Sequence, residues 1–378
     1  MDSGISLTYL AIDGITEGVG ASQVVPYVEG LARRGAQVTV HSFEHHRPSP
    51  TTRWRVEAPG VVWHPHLFHG RGSVAGVARV LQCAALVRGP AIVHARSDLP
   101  AAAALAARAK TWVWDVRSFW ADQRITLGML RPGSAQEKVL RAIESMAAER
   151  SSAITTLTGA AIDVLAARHG EAVRAKATVI PTCVDLGRFS AAPMPDAGRL
   201  HLLLSGTFNA LYDLDLTLRF FHALGLIRPV DLTLLRPDTS PWDRPVVAFG
   251  GTTATAPWGE IPARVRASHA GLCICRTDNP VAISGAAPTK LAEFLATGRP
   301  VVINAGLGDM DELVTRHRCG VIVRDGSVEA VEEAAQCLSA LVDDDLTPMR
   351  CRAAAAEHFD LDVAVSRLFD IYRHLLPS

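Results

Sequence analysis

The sequence predicts an α/β chain of two Rossmann-like lobes, each built on a parallel sheet, and three observations predict it. Short apolar runs alternate with amphipathic stretches along almost the whole chain, the pattern of repeated βα units. The rhythm breaks once, at residues 185–199, where Gly187, Pro193, Pro195 and Gly198 read as a linker. One amphipathic helix, over about residues 361–376, is left after the second set of units and must cover apolar surface somewhere. A length of 378 residues with 48% apolar content suffices for two cores. The expected division is a first lobe over 1–190 and a second over 191–357, with the terminal helix 358–378 either packed back on the first lobe or capping the second.

In the first half, LTYLAI (7–12) reads as a strand running into the glycine-rich turn GITEGVGASQ. A helix with Val24, Val25, Val28 and Leu31 in register follows, and then the strand QVTVHSF (37–43). This is one βαβ unit with a glycine-rich first turn. Gly18-x-Gly20 is not the full G-x-G-x-x-G, and no acid ends the second strand in QVTVHSF, so a dinucleotide is poorly supported. A turn presenting backbone N–H groups to one phosphate or sugar fits better. Further strands fit at 61–65, 91–95, 112–116, 152–158 and 177–182, with a loop at 66–73 and an alanine-rich helix at 100–109. His94, Arg96, Asp115 and Arg117 fall at the C-terminal ends of two neighbouring strands, the edge that faces the ligand crevice in open α/β sheets.

In the second half, strands fit at 200–205, 231–235, 246–249, 270–275, 300–304 and 320–323. Asp213-Leu-Asp215 has a D-x-D form but falls at a helix start, where acids are favoured anyway. Asp309, Asp311 and Glu312 read the same way. No His/Cys/Asp cluster shows metal-ligand spacing in the sequence. Walker loops and G-x-S-x-G elbows are absent as well.

The most informative run is Ser284–Asn304. Pro288 suits a first helical position. Leu291, Phe294 and Leu295 give the helix one apolar face, Gly298 suits the C′ position, and PVVIN reads as a buried parallel strand. Lys290 lies in the first turn, where unpaired N–H groups and the helix dipole already favour an anion. Glu293, three residues on, shares its face and suits a diol such as a ribose. Phosphate beside ribose points to a nucleotide; the alternative on spacing alone is an exposed Lys290–Glu293 ion pair.

Composition limits the partners and compartment. The 38 Lys and Arg balance 38 Asp and Glu, so no nucleic-acid partner is implied. Residues 1–190 hold 21 basic against 15 acidic residues (+6), and 191–378 hold 17 against 23 (−6). The seven cysteines are scattered, and Cys273-Ile-Cys275 is not a C-x-x-C spacing, so buried free thiols in a reducing compartment are expected. There is no leader-like N-terminus and no uncharged apolar run of spanning length. The expectation is a cytoplasmic protein whose membrane contact is at most peripheral.

Several motifs resemble the family 4 retaining glycosyltransferases of GT-B fold. ATVIPTCVDLGRF (177–189) is similar to that family's VIPNGVD…F stretch, with Thr182-Cys183 in place of Asn-Gly. PTKLAEFLATGRPVVINAGLGDMDEL (288–313) is similar to its donor-site segment and is the most specific match. EGVGASQ…LARRGAQVTV resembles its N-terminal glycine loop, and VWDVRSFWADQR resembles a block found in one branch. The resemblance spans essentially the whole chain.

It implies sugar transfer from a nucleotide diphosphate donor (a UDP-, GDP- or ADP-sugar) to a small-molecule or glycan acceptor, with retention and without a metal or other cofactor. By position it implies Glu293 on the ribose, Lys290 and Arg276 beside the diphosphate, and backbone of Gly18, Gly20 and Gly206 near the phosphates. His94 would lie near the transferred sugar, and Arg117 would face sugar or acceptor. Two features depart from the family pattern. Gly285 stands where a first glutamate is usual, and FNALYDL (208–214) lacks the usual basic pair. Gly285 keeps open the alternative of a non-catalytic GT-B-like partner subunit. A nucleotide-sugar epimerase on the same fold is a third reading.

Overall fold

The computed structural model describes residues 4–16, 18–68, 70, 72–89, 91–196 and 198–376. Glu17 of the glycine-rich turn and His69 and Arg71 of the 66–73 loop lie outside the described residues. The chain forms two units, Met1–Pro181 with Leu361–Ser378, and Thr182–Asp360.

In the first unit, β1 (Ser6–Ala11), β2 (Gln37–Glu44), β3 (Val61–Leu67), β4 (Ile92–Arg96), β5 (Trp112–Val116), β6 (Ala153–Thr156) and β7 (Ala177–Val179) make a parallel sheet. Their order is β3-β2-β1-β4-β5-β6-β7. Strands covered on both faces are mainly apolar, and β5 is buried along its whole length, with Trp112 and Trp114 fully inside. Strand order reverses between β1 and β4, and the crevice of such a sheet opens at that point, beyond the strands' C-terminal ends.

The terminal helix Leu361–His374 belongs to this first unit and buries Leu361, Val365, Leu368 and Tyr372. It lies against helix Val25–Arg33 at Gly30, where an added Cβ would fall 2.8 Å from Val365 Cγ2. Arg34 fastens the same contact by donating to the Asp362 carbonyl (3.1 Å) and to Ser366 Oγ (2.9 Å). The leftover apolar face is thus spent on the first lobe.

In the second unit, β8 (Leu200–Ser205), β9 (Val230–Leu235), β10 (Thr252–Ala254), β11 (Ala270–Cys273), β12 (Val301–Asn304) and β13 (Gly320–Val323) form a second parallel sheet. Its order is β10-β9-β8-β11-β12-β13, with the switch point between β8 and β11. One expected strand is wrong. Residues 246–249 belong to the end of helix Asp243–Ala248 and its C-cap, Phe249. Val246 is fully buried while Val247 and Phe249 are half exposed, the one-sided pattern of a helix. Gly250 and Gly251 turn the chain, and the strand that follows is the threonine-rich edge β10.

The Gly/Pro-rich stretch is fixed to the second unit. Arg352 donates to the carbonyls of Leu186 (3.0 Å) and Phe189 (2.8 Å), and the buried Arg299 to those of Ala192 (3.0 Å) and Pro193 (2.7 Å). The units therefore divide at Pro181/Thr182 and Asp360/Leu361, not at 190 and 357.

Candidate functional site

The second unit's switch point is built around Lys290. Helix Thr289–Ala296 starts one residue later than the sequence suggests, with Pro288 as its N-cap (φ −61°, ψ 124°). It ends at Thr297, and Gly298 takes the left-handed conformation (φ 82°) that halts it. Leu291, Phe294 and Leu295 are all buried. Phe294 lies so close over β11 that a Cβ on Gly271 would sit 2.1 Å from its ring. That close fit sets the helix on the sheet.

Lys290 is carried inward by this packing and is only 8% exposed. Its Nζ has no hydrogen-bond partner. The ammonium lies 3.6 Å from the centroid of Phe208 and 4.2 Å from that of Tyr212. Burial lowers its pKa, while Cys273, Cys275 and Glu293 pull the other way. Gly206, directly after β8, has φ 103°, and a Cβ there would come within 3.7 Å of Lys290 Cε. A bare glycine turn therefore borders an unpaired buried cation. Such a cation is costly unless a ligand supplies the counter-charge.

Glu293 is half-buried, and burial raises its carboxyl to about 7 against the pull of Lys290 and Arg188. Arg276 follows β11, its N–H donating to the Leu211 carbonyl (2.9 Å). Its guanidinium is 47% exposed and pairs with Asp278 at 2.9 Å. Gly285 caps the short helix Pro280–Ser284 with φ −85°, a conformation any residue can adopt. Asp213 is the N-cap of helix Leu214–Ile227, accepting from the Leu216 N–H, and Asp215 pairs with Arg219, so the D-x-D residues serve a helix start.

In the first unit, Asp115 on β5 is the centre of a buried charge cluster. Thr155 donates to it (2.9 Å), Arg117 lies 3.6 Å away and His94 Nε2 3.4 Å away. Burial opposes its charge, but Arg117, His94 and Arg96 outweigh that and hold it well below the usual carboxylate range. Arg117 is 12% exposed along its side chain. Burial works against its charge too, and Asp115 more than compensates. His94 is mid-strand, stacked on Tyr9 (4.3 Å), with Nδ1 bonded to Tyr372 Oη at 2.8 Å. It is 2% exposed, so its ring is held inside the lobe rather than presented at the strand end. Ser97, just beyond β4, holds φ 77° and ψ −179°, a conformation costing about 1–3 kcal/mol for a residue with a Cβ.

Gly18 and Gly20 are in a short helix, Gly18–Gln23, rather than in an open loop. A Cβ on Gly20 would sit 2.1 Å from the Gly14 carbonyl oxygen, so this glycine permits a close backbone crossing. The acid thought missing from the second strand is its last residue, Glu44. Its carboxylate accepts from the Ile15 N–H (2.9 Å), Thr16 Oγ1 (2.8 Å) and Ser42 Oγ (2.5 Å). Those bonds fix the turn after β1 and spend the carboxylate there, so no dinucleotide site is restored. The strand's extension by one residue was the only signal for it.

Two doubly wound parallel sheets, with the last helix returned to the first, define the GT-B fold. Residues 21–188 of the sequence match the model of Glycosyltransferase Family 4. Solved structures agree in fold. Sucrose-phosphate synthase from Thermosynechococcus elongatus superposes with a TM-score of 0.76 at 14% identity, covering 98% of this chain and 99% of that one. HepE of Anabaena, solved in complex with UDP and glucose, gives 0.71 at 15% identity over 97% and 98%. WaaG, a glycosyltransferase involved in lipopolysaccharide biosynthesis, gives 0.69 at 14% over 97% and 99%. No curated protein matches the sequence. Among the described residues no helix is long and apolar enough to cross a membrane.

Proposed function

We propose that the protein transfers a sugar from a nucleoside diphosphate donor to an acceptor hydroxyl, with retention, and that the donor's diphosphate is held at Lys290. The observation carrying this reading is the buried ammonium of Lys290, which lacks a hydrogen-bond partner beside the Gly206 turn. The similar fold of HepE, solved with UDP, favours a uridine donor.

As the C1–O bond breaks, negative charge grows on the departing phosphate. Lys290 and the N–H groups at the start of helix Thr289–Ala296 meet that charge with little reorganisation. Arg276 adds a second cation after exchanging Asp278 for phosphate, so the reading requires no divalent ion at the donor. Glu293, once ionised, accepts from the ribose hydroxyls. The acceptor oxygen bonds to C1 and its proton passes to the leaving phosphate. Arg117 acts at the sugar or acceptor, and His94, enclosed by Tyr9, Tyr372 and Asp115, acts as a positioning residue for the Asp115–Arg117 pair.

A panel of UDP-, GDP- and ADP-sugars, with and without candidate acceptors, tests the reading by mass analysis of products. Glycosylated acceptor, or slow donor hydrolysis by one nucleotide class, is expected. Nucleotide binding with neither product would favour a non-catalytic subunit, and an altered sugar without an adduct would favour an epimerase.

A further inference from the structure

Away from Lys290, the fold brings His317 against Glu357 and His358, which lie on a later helix. His317 ends helix Met310–His317, and Glu357 and His358 end the chain's neighbouring helix Thr347–His358. The two imidazole Nε2 atoms are 3.3 Å apart. Glu357 Oε2 lies 3.4 Å from His317 Nε2, and Oε1 lies 3.5 Å from His358 Nε2. A tetrahedral zinc ion bonds nitrogen and oxygen at about 2.0–2.2 Å, which sets its ligand atoms about 3.3–3.6 Å from one another. The edge between the two nitrogens falls in that range, and so does the distance from each imidazole to its nearer oxygen of Glu357.

The neighbouring cation supports the same chemistry. Arg316 Nη2 donates to Glu357 Oε1, lies 2.7 Å from His358 Nε2 and 3.2 Å from His317 Nε2. A guanidinium has only N–H groups to offer; with one N–H of Nη2 on Glu357, the other meets the nearer imidazole, His358, at its Nε2 lone pair, the form that binds a metal. The two histidines are partly buried, while Arg316 is 48% exposed. The imidazoles are held by the fold, and the cation they meet lies at the surface, where it is paired with Glu357.

We propose that His317, Glu357 and His358 form a divalent transition-metal site suited to zinc, with water as the fourth ligand and Arg316 displaced on binding. Its place in the fold makes the role structural. Helix Met310–His317 leaves β12 at its C-terminal end and delivers the chain to the start of β13. His317 is therefore at the sheet edge opposite Gly206 and Lys290. The next residue after His358, Phe359, accepts from the Val184 N–H at 2.9 Å, tying the two segments at which this unit of the chain begins and ends. A bound ion would pin the end of helix Thr347–His358 at that tie.

A second imidazole group, with His41 Nδ1 3.2 Å from His66 Nε2 on strands β2 and β3, is the internal control. The full chain, stripped with a chelator, is titrated with Zn²⁺ by calorimetry and with Co²⁺ by visible absorption. One equivalent of micromolar or tighter affinity, with the intense Co²⁺ bands of a tetrahedral site, is expected. His317→Ala and His358→Ala should each weaken it at least about tenfold. Arg316→Ala should tighten it, a gain that a folding defect cannot produce. His41→Ala with His66→Ala should leave it unchanged. Absence of a tight equivalent, loss confined to the His41/His66 variant, or weaker binding in Arg316→Ala would overturn the proposal.

Discussion

Replacing Lys290 by Met separates a ligand-binding cation from a structural one. Methionine keeps much of the length and apolar stem but removes the charge. Without donor, the folded protein then no longer buries an ammonium that lacks a hydrogen-bond partner. Relief of an unsatisfied buried polar group is worth about 1–3 kcal/mol. The lost cation–π contacts with Phe208 and Tyr212 offset about 0.5–2 kcal/mol of it. The net lies between a loss of about 1 kcal/mol and a gain of about 2.5 kcal/mol, a change of a few degrees in Tm for a unit of this size. Donor affinity should fall. A lost hydrogen bond to a charged phosphate costs about 1.5–3 kcal/mol, or about 10- to 150-fold in Kd. Thermal unfolding without nucleotide and calorimetric titration with nucleoside diphosphate read the two effects separately. A Lys290→Met protein that is clearly destabilised yet binds nucleotide as the parent does would refute the assignment.

Glu293 predicts a pH dependence. Its folded carboxyl titrates at about 7, above the ordinary 4.5, so the folded state holds the extra proton between those values and stability falls as pH rises through that window. Glu293→Gln should match the parent below that window and be more stable above it, by up to about 3 kcal/mol, in urea unfolding. Donor affinity should strengthen as pH rises through 7 in the parent and lose that dependence in the variant. Asp115→Asn leaves Arg117 buried without its counter-ion and should cost about 3–5 kcal/mol at neutral pH, measured by denaturant unfolding. Because the folded pKa of Asp115 is depressed, its contribution is present above the usual carboxylate range and lost as pH falls through and below it, so the gap to the variant should close in acid. Gly271→Ala should unfold or strongly destabilise the second unit, because its Cβ would enter the Phe294 ring, and Phe294→Leu in the same chain should recover part of the loss in Tm.

The fold was legible because its signals are local. Parallel strands such as β5 and β12 are apolar on both faces, and helix Thr289–Ala296 declares its stripe and its Gly298 stop within ten residues. The strand at 246–249 misled because a short apolar run has no period of its own. The site was legible as far as its residue types, and less so in its environment. Nothing in the spacing of Lys290 and Glu293 shows that Phe294, seated on Gly271, would drag the lysine to 8% exposure. His94 looked like a strand-end ligand because the helix that encloses it, through Tyr372, arrives 278 residues later. The same distance effect hid His317 and His358, 41 residues apart in the chain and 3.3 Å apart in space.

The central claim is that the unpaired ammonium of Lys290 is completed by the donor's diphosphate. A crystal structure of the protein with a bound nucleoside diphosphate tests it most directly. The account predicts a phosphate oxygen within hydrogen-bond distance of Lys290 Nζ at the Gly206 turn, with the ribose hydroxyls on Glu293. A nucleotide bound with its phosphates elsewhere, and Lys290 still resting on Phe208 and Tyr212, would contradict it.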